Sequence, residues 1–390
     1  MTITNMTGYE RVRTALHHQE PDRIPFDIGA TAVTGINIHL YKKLRNALGL
    51  PELEPEVLDV TQQLGKVDED VKAALNIDVS AVFPGAPSKN KNIKPIEKGD
   101  RYFTRSDEWG IQWKMPVENG HYFDMVGHPL TSVTTPEELD TYNWPNPTDD
   151  AIFETMKPRA DKIVYEEKRA AVIGSGPGIW ELALWTNGFE KFFSEMAANK
   201  HYAHAVMRKL TDYKLAYWKK ALDVLGENIL VAYEADDLAT QKSLLVSPRM
   251  YKELIHPYHK ELYNFIHSYA KNEVFVFYHS CGACKPLIPL LIEEGVNILN
   301  PVQVSATDMD TAELKKEFGK DITFWGGGVD TQHVLPFGTE AEVKDEVRRR
   351  IDDLAKDGGF VFAAIHNVQS DVPVQNLLAM WDALQEYGRY

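Results

Sequence analysis

Cysteine is almost absent from this chain: there are two in 390 residues, at positions 281 and 284. A disulfide framework is thereby excluded, and two thiols inside one stretch point to local chemistry or to small buried side chains. Positive charge is also scarce. Lysine and arginine number 42 against 57 aspartates and glutamates, a formal net charge of −15, so no basic stripe is available for phosphates and nucleic-acid binding is set aside. Such a surface serves solubility and favours a partner with a basic docking face. No uninterrupted apolar run approaches the roughly 18 residues of a membrane span. The opening MTITNMTGYERVRTALHH has no apolar core of signal-peptide length, and the expectation is a cytoplasmic protein. Nucleotide signatures are missing too: no Gly-Lys-Ser/Thr follows the glycine run 326–328, and the dinucleotide fingerprint does not occur.

What is present is an ordinary globular composition, 44% hydrophobic and 25% charged, with enough chain to bury a sizeable core. From position 170 onward apolar strands alternate with helices: AAVIGSGPG, ILVAYEADD, VFVFYHSCG, ILNPVQ, ITFWGGGVD and FVFAAIHN, each followed by a helical pattern. Alternation of this kind means a parallel sheet. IPFDIGAT and one strand near Ile77 to Val82 bring the count to about eight, the number that closes a barrel. The predicted fold is therefore one (β/α)8 TIM barrel over 1–390, with N-terminal helices and an inserted hairpin region at about 101–126. In that insert Tyr102, Phe103, Trp109, Trp113, Tyr122 and Phe123 are spaced by Trp-Gly and Asn-Gly turns. Leu58 to Leu75 reads as a helix, and Trp180 and Trp185 as core.

The stretch Val274 to Cys284, VFVFYHSCGAC, is the focus of the chain. A buried strand ends in Tyr278, His279 and Cys281, placing an imidazole and a thiol at a strand's C-terminal mouth, where β/α folds bind ligands. The other strands end in polar residues as well: Asp27, Glu234, Asp236, Asp237, Gln241, Asn300, Gln303, Asp330, Gln332, His366, Asn367 and Gln369. Any one of these is an ordinary loop start; together they make a polar ring around one mouth. Residues two apart on a strand face the same side, so His279 and Cys281 can reach one ion, with His366 from another strand as third ligand. Three protein ligands and one open position is the catalytic zinc pattern. Cys284 is an alternative ligand and Glu234 a possible fourth; the plainer reading makes His279 a core histidine and Cys281 a small hydrophobe. The run Trp325-Gly326-Gly327-Gly328 lets a bulky planar ligand approach the backbone.

The segments ERVRTALHHQEPDRIPFDIG, EADDLATQ, FYHSCG, FWGGGVDTQHVLPFGTEAEV and GGFVFAAIHNVQSDVPVQNLLAMWDAL resemble the uroporphyrinogen decarboxylase-like superfamily over essentially the whole chain. That resemblance implies a (β/α)8 barrel and either a decarboxylase or a corrinoid-dependent methyltransferase. The arginine-rich segment of the decarboxylases is replaced by IPFDIGATAVTG, which turns the expectation towards the methyltransferase branch. Its members carry His-x-Cys and a later Cys on zinc; His279 and Cys281 match the first two, and His366 stands where the later Cys would be. A harder, less thiolate-rich zinc suits an oxygen ligand. The resemblance thus implies O-demethylation of a methoxylated aromatic, with the methyl passed to the cob(I)alamin of a separate corrinoid protein. Zinc would sit on His279, Cys281 and His366, with Asp237, Glu234 or Tyr278 positioning the oxygen or supplying a proton. Gly326, Gly327, Gln241 and Asn300 are the expected contacts of the corrinoid. A methyl-corrinoid:thiol methyltransferase and a decarboxylase-like activity are the alternatives, and a homodimer is compatible with the fold.

Overall fold

Seven parallel strands curl side by side through the computed structural model, which describes residues 5–88 and 90–390. The first four residues of the opening stretch read above, and Lys89, lie outside the described residues. In chain order the strands are β1 (Val79–Val82), β2 (Ala170–Gly174), β3 (Val231–Ala235), β4 (Phe275–His279), β5 (Ile298–Asn300), β6 (Thr323–Trp325) and β7 (Phe360–Val361), each hydrogen-bonded to the next. The segment around Phe26 closes the ring. Phe26 pairs in parallel with Phe362; Asp27 N–H donates to Phe362 O at 2.9 Å and Asp78 N–H to Phe26 O at 3.0 Å. This eighth stave is short because Pro25 has no N–H to continue the ladder. A (β/α)8 barrel results. β4 is buried along its whole length, as an apolar run covered by helices on one face and by the barrel interior on the other must be.

Two segments depart from the sequence reading. Leu58 to Leu75 is not one helix: Val57–Asp59 and Leu64–Gly65 pair as short antiparallel strands, and only Glu69–Ala74 is helical. Its apolar spacing suits a helix, but Asp59 accepts the Gln62 N–H at 2.9 Å in a side-chain turn and Gln63 adopts φ 57°, which interrupts the spiral. The aromatic insert is larger than its aromatic residues suggest. Lys94–Lys98, Tyr102–Ser106, Gln112–Pro116 and Asp124–Gly127 form a four-stranded antiparallel sheet, whose first strand is exposed throughout and so gives no hydrophobic signal. This sheet leans on the barrel's helices: Trp109 stands 4.6 Å from the Tyr213 ring and Trp113 5.8 Å from Trp185. It forms a roof over the mouth. No helix among the described residues is long and apolar enough to cross a membrane.

Candidate metal centre beneath an aromatic roof

Strand register decides which side chains meet. His279 lies beside Ala235 on β3 and Asn300 on β5, and neighbours in register share a face. Asn300 donates from Nδ2 to Trp325 O at 2.7 Å, which turns its Oδ1 towards His279 Nδ1 at 2.6 Å. An acceptor at that place makes Nδ1 the protonated nitrogen and leaves the Nε2 lone pair aimed into the barrel. Nε2 faces Cys281 Sγ at 3.5 Å. His366 comes from the loop after β7, its ring 5.5 Å from that of His279. One ligand atom from each of the three lies within 4.8 Å of the others.

The donor set fits zinc. A tetrahedral ion with ordinary zinc–nitrogen and zinc–sulfur bonds holds those two atoms about 3.5 Å apart, the separation found between Nε2 and Sγ. Burial pushes His366 down to about 3, with help from nearby His279. Burial lowers His279 as well, against the pull of Asp237 and Asn300. Both imidazoles are thus held neutral, the form that ligates. Burial, then the charges of Asp237 and Glu181, raise the Cys281 thiol far above its usual value, so a thiolate here calls for a cation beside it. Asp237 completes the group: its Oδ1 accepts the Cys281 N–H at 2.8 Å and lies 3.8 Å from His279 Nε2.

A cavity of about 580 Å³ opens above these residues. Its floor is the barrel mouth, with His279, His366, Asp237, Tyr233 and Glu181; its roof is the antiparallel sheet, with Arg105, Trp113, Tyr122, Phe123 and Met125. Glu181 sits in the first turn of the helix Ile179–Asn187. That helix is locked to the barrel at its start: a Cβ on Gly178 would lie 2.3 Å from Ala235 O and from Asp236 Cγ, and Asp236 Oδ1 accepts the Glu181 N–H at 2.6 Å. Burial, then Asp237 and Asp236, raise the Glu181 carboxyl well above the ordinary value. It keeps its proton to higher pH than a free glutamate does. A second cavity of about 550 Å³ reaches Cys281 and His366 from another side and is lined by the side-chain amides of Gln241, Gln303, Gln332, Asn367 and Gln369, with Tyr122 on its wall as well.

Of the residues singled out in the sequence, His279, Cys281, His366 and Asp237 converge. Glu234 and Tyr278 do not. They pair with each other in register on the outer face, one residue out of phase with His279. Glu234 meets Lys214 Nζ at 3.0 Å, Trp218 Nε1 at 2.6 Å and the Ser175 hydroxyl; Tyr278 donates to Asp236 O at 3.1 Å. Asn300 holds His279 and reaches neither cavity, while Gln241 is exposed at the rim of the second. Gly326 and Gly327 offer no room to a planar ligand. A Cβ on Gly327 would stand 2.7 Å from Val302 Cβ, and one on Gly326 3.0 Å from Asn300 Nδ2, so these glycines serve chain packing. Cys284 is fully buried, 4.0 Å from Ser280 O, outside the three-ligand group. Trp180 is core, but Trp185, five residues on, lines the cavity. Arg105 and Glu181 were missed: the first lies in an insert read only for its aromatics. The second follows the SGPG loop by three residues, and its place in the first turn of a helix at the mouth was the signal that could have found it.

The family model described as uroporphyrinogen decarboxylase (URO-D) matches residues 110–387. No curated protein matches the chain. Among solved structures, a methyltransferase from Methanosarcina mazei superposes with a TM-score of 0.65 at 15% identity, over 98% of this chain and 99% of that one. An endo-glycoceramidase II from Rhodococcus sp. reaches 0.36 at 12% identity, over 66% and 68% of the two chains. A GH5-4 endoglucanase from an uncultured bacterium reaches 0.39 at 12%, over 62% and 76%. The first of these spans both chains nearly end to end and shows a shared fold.

Proposed function

The chain belongs to the uroporphyrinogen decarboxylase family, and from that premise we propose that it is a methyltransferase that demethylates a methoxylated aromatic and passes the methyl to the cob(I)alamin of a separate corrinoid protein. The observation that carries this reading is the set His279, Cys281 and His366 gathered within 4.8 Å on the floor of an aromatic cavity. The shared fold with a methyltransferase supports it. Barrel and roof act as one domain in this reading, since the cavity exists only between them.

Zinc held by His279, Cys281 and His366 would act as a Lewis acid towards the ether or an adjacent phenolic oxygen. The protein's own groups do the rest. Trp113, Phe123 and Trp185 offer flat apolar walls that seat an arene and keep water from it. Asp237 fixes the Cys281 backbone and faces His279, holding the two donors at their separation. Glu181, whose carboxyl is held well above the ordinary carboxylate value by burial and by Asp237 and Asp236, can give a proton to the aryl oxide as the carbon–oxygen bond breaks. No side chain has to serve as nucleophile, because the methyl acceptor brings its own. No Asp-x-His-x-x-Gly cobalt-ligating motif occurs among these 390 residues, in keeping with an acceptor carried on a separate corrinoid protein. The second cavity, amide-lined and open, is the approach we assign to it.

The decisive experiment is elemental analysis of the purified protein with His279→Ala and His366→Ala beside it, followed by demethylation of methoxyarenes with a reduced corrinoid acceptor. About one zinc per chain, lost in both variants together with methyl transfer, is the expected result. A wild type that stays metal-free after purification in zinc, or a fully active His279→Ala, removes the proposal.

A further inference from the structure

Arg105 is out of place by the standards of the other arginines. Among the described residues each of those is either ion-paired or exposed. Arg105 is half-buried in the roof strand Tyr102–Ser106 and forms no ion pair. Its guanidinium lies over the rings of Trp113 at 5.4 Å and Phe123 at 5.5 Å. One donor, Nη2, reaches the Thr61 hydroxyl, and Nε is buried with no partner. Two neighbouring acids feel its charge without closing on it. Asp107 accepts Trp113 Nε1 at 2.7 Å and the N–H groups of Trp109 and Ile111 at 3.0 Å, whereas Glu108, whose carboxyl burial raises, feels the Arg105 charge without forming an ion pair with it.

A guanidinium carries five donors in a planar fork that matches a carboxylate. Leaving such a charge partly desolvated and unpaired is unfavourable unless something arrives to pair with it. The remainder of the cavity wall sharpens the point. Asp59, Asp107, Glu108, Asp124, Glu181 and Asp237 line it too, and Arg105 is the only lysine or arginine among the described residues of its wall, so an anionic ligand has one cationic group to pair with and is turned towards it. We propose that Arg105 is the anion anchor of this cavity and that its ligand is an aromatic carboxylate, held by the acid group at the roof with its ring between Trp113 and the floor. The methoxy group facing His279 and His366 rests on the function proposed above; the anion anchor rests on Arg105 alone.

The test uses calorimetric titration of the intact protein with benzoate and with benzamide, equal in shape and different in charge, against wild type, Arg105→Gln and Arg105→Met. The methionine keeps an unbranched stem on the two rings and serves if the glutamine variant does not fold, with thermal melting as the check. Benzoate should bind the wild type about tenfold or more tightly than benzamide, the scale of a charge-assisted pair, and the two should bind the variants alike. Equal binding to the wild type, no binding of either compound at millimolar concentration, or a benzoate preference that survives in both variants overturns the anchor. Methyl release from 3-methoxybenzoate and 3-methoxybenzamide is scored separately. A charge preference without any demethylation defeats the methyltransferase reading and leaves the anchor. Demethylation of acid and amide at equal rates by wild type and variants does the reverse.

Discussion

The two faces of the barrel wall beside β3 and β4 hold two polar clusters, built from residues one position apart, that behave in opposite ways. On the outer face Glu234, Lys214, Trp218 and Ser175 form a closed set, with Lys214 and Glu234 almost wholly buried. Beside it His259 bridges Asp236 at 2.8 Å and reaches towards Glu294 at 3.6 Å. On the inner face His279, Cys281 and His366 bring ligand atoms together without closing on one another: among the described residues His279 Nε2 has only the Cys281 Sγ, at 3.5 Å, as a hydrogen-bond partner, and His366 makes no hydrogen bond, only a ring contact. A polar cluster whose members satisfy one another holds a shape. One whose members lack a partner is organised for something that binds.

The largest expected effect separates these roles. His279→Ala should lose its zinc and all detectable methyl transfer while its melting temperature stays within a few degrees of wild type, because the side chain faces a cavity rather than packed core. Glu234→Ala should do the opposite. It strands the Lys214 ammonium in the wall, and removing one partner of a buried pair typically destabilises by about 3–5 kcal/mol. Urea denaturation of that variant should show this loss, with zinc content unchanged in the folded fraction. A loss below about 1 kcal/mol would mean that water reaches Lys214 and that the outer cluster is not closed.

Much of this was legible in the sequence because it depends on local rules. Alternating apolar strands and helices gave the eight staves, and the parity that puts His279 and Cys281 on one side identified two of the three donors. The same parity, applied one residue further, places Tyr278 on the opposite side; whether Glu234 shares that side depends on the pairing of β3 with β4, which no local pattern reveals. Arg105 and Trp185 were hidden for a related reason. Their importance comes from a sheet folded over a barrel, a contact between segments some eighty residues apart that leaves no periodic trace. The glycines Gly326 and Gly327 misled because a backbone that must pass close to Val302 has the same composition as one that must admit a ligand.

A smaller effect follows from His259. Despite full burial, its pairing with Asp236 and Glu294 raises it to about 9 from 6.5; the hydroxyls of Tyr251, Tyr263 and Tyr278 are the other titratable groups around it. A histidine whose folded value exceeds its unfolded one stabilises fully below pH of about 6.5, and that contribution fades as pH rises through about 9. Its full size is about 3 kcal/mol by linkage. Wild type should therefore lose that much more stability than His259→Gln between pH 6 and pH 9.5 in urea titrations. Parallel slopes for the two proteins would show that the bridge is neutral, and that the outer cluster owes its cohesion to hydrogen bonds without charge.

The smallest effect is the sharpest check on the comparison itself. Tyr278 adjoins His279 in sequence, and a tyrosine there would be a natural proton donor if it faced inward. Its hydroxyl donates to Asp236 O instead, and its ring stacks edge-on against His259 and Tyr263. Tyr278→Phe should then remove one buried hydrogen bond, about 1 kcal/mol of stability, and leave the methyl-transfer rate within about twofold. Glu181→Gln, by contrast, keeps size and hydrogen bonding but loses the transferable proton, and should slow demethylation of substrates with poor leaving groups by about a hundredfold or more. If the tyrosine variant were the slow one and the glutamine variant the fast one, the division of the wall into a structural face and a chemical face would fail at β4. The proton would then have to travel through the strand's outer side, by way of Asp236, whose Oδ1 already touches the Glu181 backbone.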